Sequence, residues 1–139
     1  MSCQLSFIGE DLDVDNLIEL VRIPGFRKSY KGALFSPRRN LYSKTSSASI
    51  RIGDADFSNF KQQVKDAEEF LTLHSSNLKV ISEIENIQYA TISFGSDSTS
   101  LNEKGVQSFY FPIQLISICS ILKISIETSI YNINHISRR

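Results

Sequence analysis

From Leu122 to Ile130 every second residue is apolar or Thr (Leu122, Ile124, Ile126, Thr128, Ile130), while Lys123, Ser125, Glu127 and Ser129 fill the alternate places. Side chains alternate sides of a β-strand, so this pattern specifies a strand with one face in a core and one in water. Half-wet strands of this kind belong to antiparallel sheets covered on one side, whereas strands of all-parallel sheets are apolar on both faces. The same signature recurs at Cys3, Leu5 and Phe7 within residues 3–8, at Ala48, Ile50 and Ile52 before Gly53, and at Ala90, Ile92 and Phe94 within 88–94.

Helical spacing separates these strands. Leu17, Ile18, Leu20 and Val21 follow Asp13, a candidate N-cap, with Asp15 in the first turn, where a carboxylate offsets the helix dipole. Pro24-Gly25 stops that helix. Phe57, Phe60, Val64, Ala67 and Leu71 step by three or four, which predicts a helix over 57–73 capped by Asp54 or Asp56. Leu78, Ile81 and Ile84 predict a further helix over 77–86. Residues 26–47 form a long loop in this reading, with a short strand near Leu34–Phe35, and 95–105 form a polar loop. Phe109–Phe111 form a short strand before Pro112, which opens the next element as a first helical residue. For 113–122, polar residues every third position favour a buried helix, while the isoleucine content suits a strand equally well. The tail from Asn132 is frayed or extends the last strand.

The expected architecture is therefore α+β: a two-layer sandwich of a mainly antiparallel sheet with helices packed on one face. With 139 residues, 1–139 is expected to be a single domain able to bury a core without disulfide or metal. No run reaches the roughly 20 apolar residues of a membrane span. The opening lacks a basic-then-apolar signal, so a cytoplasmic location with Cys3 and Cys119 as free thiols is expected.

No catalytic constellation is legible, so no enzyme, cofactor or metal is expected. Glu10, Asp11, Asp13 and Asp15 lack the spacing of a calcium loop and suit capping instead. His74 and His135 stand far apart without a neighbouring Cys or second His, so no zinc spacing exists. Cys119 lies in the most apolar stretch, where a thiol is inert packing. The dispersed glycines form no phosphate loop, and no Gly-x-Ser-x-Gly elbow is present.

Charge is where the sequence is uneven. Fifteen Lys+Arg balance fifteen Asp+Glu, which excludes a protein charged all over with one sign. Yet Arg22, Arg27, Lys28, Lys31, Arg38, Arg39, Lys44 and Arg51 follow one another with no acid between them. Phe26, Tyr30, Phe35 and Tyr42 are interleaved. Arg27, Lys28, Lys31, Arg38, Arg39 and Lys44 thus form a candidate patch for tracking a nucleic-acid backbone and stacking bases. The acids at 10–19 and 54–104 would repel such a ligand unless the patch were well separated from them.

Phe7-Ile8-Gly9-Glu10-Asp11-Leu12-Asp13-Val14-Asp15 resembles the opening of a bacterial domain-of-unknown-function family, whose members start with a strand, a Gly-Glu-Asp-Leu-Asp type turn and a short helix. The order of elements in the second half is similar too. This chain departs in its middle, where members carry an aromatic strand, often with Trp. Members are found among immunity proteins of polymorphic and contact-dependent growth-inhibition toxin systems. The resemblance implies an inhibitor that binds and occludes a cognate toxin domain, often a nuclease, and implies no catalytic residue. On that reading Asp66, Glu68, Glu69, Glu83, Glu85, Asp97 and Glu103 are the candidate partner-binding residues, facing the basic cleft of a nuclease, and the loop 95–105 is an adaptable contact.

Overall fold

The computed structural model describes residues 3–97 and 105–131. Among these residues, seven strands and four helices follow in the order β1 (Cys3–Gly9), α1 (Val14–Val21), β2 (Arg27–Ser29), β3 (Leu34–Ser36), β4 (Leu41–Tyr42), β5 (Ser46–Arg51), α2 (Phe60–Leu73), α3 (Ser75–Leu78), a 3-10 turn (Lys79–Glu83), β6 (Tyr89–Asp97), α4 (Ile113–Leu122) and β7 (Ser125–Tyr131). Five strands make one sheet in the order β2-β5-β1-β6-β7, and β3 and β4 form a separate two-stranded sheet. The pairs β2–β5, β5–β1 and β1–β6 are antiparallel. The pair β6–β7 is parallel, and α4 lies in the connection between those two strands, as a parallel pair requires.

Register explains the two-sidedness. Phe7 pairs with Ala48 and Ala90, Leu5 with Ile50 and Ile92, and Cys3 with Phe94. Of these, all but half-buried Ala90 are buried, beneath helices whose inward residues are Val14, Leu17, Val21, Val64, Ala67, Leu71, Leu115, Cys119 and Leu122. On the opposite face Ser6 pairs with Ser49 and Thr91, and Gln4 with Arg51 and Ser93. The fold is the expected α+β arrangement of helices on a mostly antiparallel sheet. Asp13 caps α1 as expected, its Oδ1 accepting from Asn16 N–H at 3.1 Å. Residues 113–122 are helical.

Several boundaries differ from expectation, each for a local reason. Asp54 and Asp56 do not cap α2; Asn59 does, its Oδ1 accepting from Gln62 N–H. Asp56 Oδ1 instead accepts from Ser58 N–H (3.0 Å) and Oγ–H (2.5 Å), which closes a turn before the helix can start. Phe57 therefore stays outside α2 and stacks on Tyr131 with ring centres 4.7 Å apart. The helix expected over 77–86 is shorter: α3 passes into the 3-10 turn, and Asn86 adopts φ +69°.

β6 runs to Asp97, into the expected polar loop, because Gly95, Ser96 and Asp97 find partners in Ser129, Ile130 and Tyr131. Residues 98–104 of that loop, and the tail 132–139, lie outside the described residues. Phe109–Phe111 are not a strand; Phe109 and Phe111 pack their rings on Phe60, with centres 4.8 and 5.7 Å away. Pro112 is the N-cap of α4 rather than its first helical residue, with ψ 149°. The alternation from Leu122 spans two elements, since Leu122 ends α4 and Lys123, at φ +59°, turns the chain into β7. The long loop 26–47 contains β2 and the β3–β4 hairpin besides the start of β5.

Candidate functional site

A groove of about 970 Å³ runs along the outer side of α2. Its opposite wall is the segment before α4, including Ser108, Tyr110 and Pro112. An aromatic cluster fixes that wall in place: Phe60 touches Phe94, Phe109 and Phe111, and Phe94 touches Phe111. Such ring pairs are worth ~0.5–1.5 kcal/mol each beyond their buried area. Phe109 and Phe111 are partly buried, whereas Tyr110, pointing between them to the other side, is 79% exposed.

A second constraint comes from Gln63, which is fully buried. Its Nε2 donates to the carbonyls of Gly95 (2.7 Å) and Asp56 (2.8 Å), and its Oε1 accepts from Gly95 N–H (3.1 Å). The side chain thus pairs with β6 as a neighbouring strand would, and binds α2 to the sheet. Nearby, Gln107 Nε2 donates to Ser96 Oγ (2.7 Å) and Asp97 O (3.1 Å), fastening the start of the groove's far wall to the end of β6.

Charge along the groove is ordered. Lys61 and Lys65 stand one helical turn apart, and Glu68 and Glu69 occupy the next turn. The groove offers cations at one end, carboxylates at the other and an aromatic ring across from them. Of the seven acids singled out from sequence, the structure brings Glu68 and Glu69 together there. Asp66 is on another side of α2, where its Oδ1 accepts from Gln62 Nε2 at 2.8 Å and its carboxylate lies against Gly53. Glu83 ends the 3-10 turn and Glu85 follows it, both exposed, and Asp97 ends β6, half-buried. Glu103 lies outside the described residues.

The basic segment is distributed differently. Arg27 and Lys28 are on β2. Lys28 Nζ bonds Asp15 Oδ1 at 3.0 Å, Tyr30 Oη–H donates to the same oxygen at 2.8 Å, and Lys31 lies 3.7 Å from Asp11. The hydrogen bonds from Lys28 and Tyr30 hold the Asp15 carboxyl below its ordinary range, and the Asp15 bond raises the Lys28 ammonium. The acidic turn at 10–15 and the base of the cationic segment, distant in sequence, meet in space. Arg38 and Arg39 lie in the β3–β4 turn and Lys44 follows β4, and these three make no ion pair among the described residues.

Other chemistry-bearing residues are occupied structurally. His74 caps α2 and packs its ring on Phe70, 4.6 Å between centres. Cys3 and Cys119 are buried free thiols. Burial, with the Asp66 charge second, pushes the Cys3 thiol up to about 12, and burial pushes Cys119 up to about 11. Among the described residues no three His, Cys, Asp or Glu side chains are grouped to hold a metal ion, and no helix is long and apolar enough to cross a membrane.

Sequence reasoning missed Tyr110, Lys61 and Lys65 as site residues. Tyr110 sits in an aromatic triplet whose outer members turn inward, and no periodicity marks the odd one out. Comparison with family models, with curated proteins and with solved structures gives no match to this chain.

Proposed function

We propose that this chain is an immunity protein that binds a cognate nuclease toxin domain in the cytoplasm and occludes its active site. The observation that carries the reading is the α2 groove, which places Glu68 and Glu69 across from the exposed ring of Tyr110. A nuclease cleft presents lysines and arginines to its substrate. Carboxylates opposite such a cleft raise the rate of encounter and fix the register, and a rigid tyrosine supplies a central anchor of the type that dominates interface energies. Lys61 and Lys65 at the other end of the groove add specificity, since they accept acids and repel a partner docked in the reverse direction. Inhibition is steric, and no bond is made or broken by this chain. The resemblance of residues 7–15 to a family found among immunity proteins points the same way.

The test is rescue of growth. Cells expressing a cognate nuclease toxin domain survive when this protein is co-expressed, and lose that protection when it carries Glu68→Lys and Glu69→Lys together. Failure of the unaltered protein to protect, together with no complex at micromolar concentration, refutes the reading.

A further inference from the structure

We infer that the β3–β4 hairpin is an arm that binds single-stranded nucleic acid, with Arg38, Arg39 and Lys44 on phosphates and the ring of Tyr42 beneath a base. This uses no residue of the α2 groove and stands apart from the toxin reading. Among the described residues its strands pair with each other and with no strand of the five-stranded sheet. The turn Pro37–Asn40 closes it, with Asn40 N–H donating to Pro37 O at 3.4 Å and Asn40 at φ +51°. Leu34, Pro37, Arg38, Arg39, Asn40, Leu41, Tyr42 and Lys44 are all exposed.

Two of the acids near this arm are held in ion pairs at its base. Asp15 takes Lys28 and Tyr30, Asp11 takes Lys31, and Glu10 lines a shallow concavity of about 580 Å³ together with Lys31, Asn40, Tyr42 and Lys44. Those pairs, with Lys31 N–H donating to Ser46 Oγ at 2.9 Å, hold the base against α1 and β5. Arg38 and Arg39 at the turn, and Lys44 beside Ser43 at the base, have no ion-paired acid among the described residues. Asp11 and Asp15 are thereby occupied by Lys31 and Lys28 at the base, which leaves Glu10 as the acid that borders Tyr42 and Lys44. Tyr42, 53% exposed, has its hydroxyl donated to Asn40 Oδ1 at 3.2 Å, so its ring is already ordered for stacking. A single strand suits this combination, because its bases are free to stack, whereas a duplex would use only the cations.

Fluorescence anisotropy with a labelled single-stranded oligonucleotide tests the inference. Three phosphate contacts give log K against log salt a slope of about −2, so affinity falls about 20-fold between 50 and 200 mM salt. Arg38→Ala with Arg39→Ala cuts that fall to about threefold. Tyr42→Ala weakens binding about 5- to 100-fold with the salt slope unchanged, which separates stacking from charge. Lys79→Ala, an exposed cation on the 3-10 turn, leaves binding as it was. All these positions are at the surface, and unchanged circular dichroism shows that each variant folds. The inference is overturned by absence of binding at 50 mM salt, by equal binding of polyglutamate or duplex DNA, or by an arm variant that binds as the parent does.

Discussion

Replacing Gln63 with leucine keeps nearly the same volume in the core but removes its three hydrogen bonds, two joining α2 to β6 and one to the carbonyl of Asp56. Asp56 is exposed and its carbonyl can turn to water. Gly95 N–H and C=O are buried in the sheet, and each unsatisfied buried group costs ~1–3 kcal/mol. The expected loss is about 3 kcal/mol, a large part of the ~5–15 kcal/mol that holds a domain of this size together. Urea unfolding followed by far-ultraviolet circular dichroism measures it: at a slope of roughly 2 kcal/mol/M the midpoint falls by about 1.5 M with the slope unchanged. Gln63→Glu at pH 7 is worse than Gln63→Leu, because an ionised carboxylate then faces two carbonyl oxygens at hydrogen-bond distance. A midpoint shift under ~0.3 M for leucine, or a glutamate variant more stable than the leucine one, shows that volume rather than hydrogen bonding holds this position.

Three further outcomes follow from the geometry. Gly9→Ala places a methyl group onto the carbonyl of Asn86 and forces the end of β1 from the turn before β6; a loss of ~1–3 kcal/mol in the same urea assay is expected, and an unchanged midpoint contradicts the close approach. Asp15, held low by Lys28 and Tyr30, titrates below its ordinary 3.8 in an NMR pH series and returns towards it in Lys28→Ala. The contribution of that pair is therefore full at neutral pH, is lost in acid as pH falls through the lowered Asp15 value, and is lost in base as pH rises through the raised Lys28 value; an ordinary Asp15 titration in the parent protein rules out the clasp. With thiols raised to about 12 and about 11, only ~0.01–0.1% of each is thiolate at pH 8. Ellman's reagent should then react with Cys3 and Cys119 only after unfolding, and a fast reaction of the native protein refutes their burial.

What could be read from the sequence was whatever period and polarity encode. β1, β5 and the core of β6 alternate cleanly because one face of the sheet is wet, and α1 and α2 carry their stripes because one side of each is covered. The boundaries went astray where a side chain outcompeted the pattern: Asp56 closing a turn on Ser58, Gln63 lending β6 a partner at Gly95, Lys123 turning the alternation of 122–130 at the junction of helix and strand. The basic segment was legible as charge and not as shape, since Asp11 and Asp15 reach Lys31 and Lys28 only through the fold. The groove was the least legible feature. Glu68 and Glu69 stand out in sequence, but Lys61 and Lys65 share their helix face, and Tyr110 faces outward only because Phe109 and Phe111 have claimed Phe60.

A protein partner seated in the α2 groove leaves a hydrogen-exchange footprint along its two walls. With the proposed nuclease toxin domain added in excess, amides of α2 from Phe60 to Glu69 and of residues 108–111 should slow their exchange, and Tyr110→Ala should abolish that protection while leaving the free protein's exchange unchanged. Protection elsewhere with none along α2, or a complex indifferent to Tyr110→Ala, contradicts that seating.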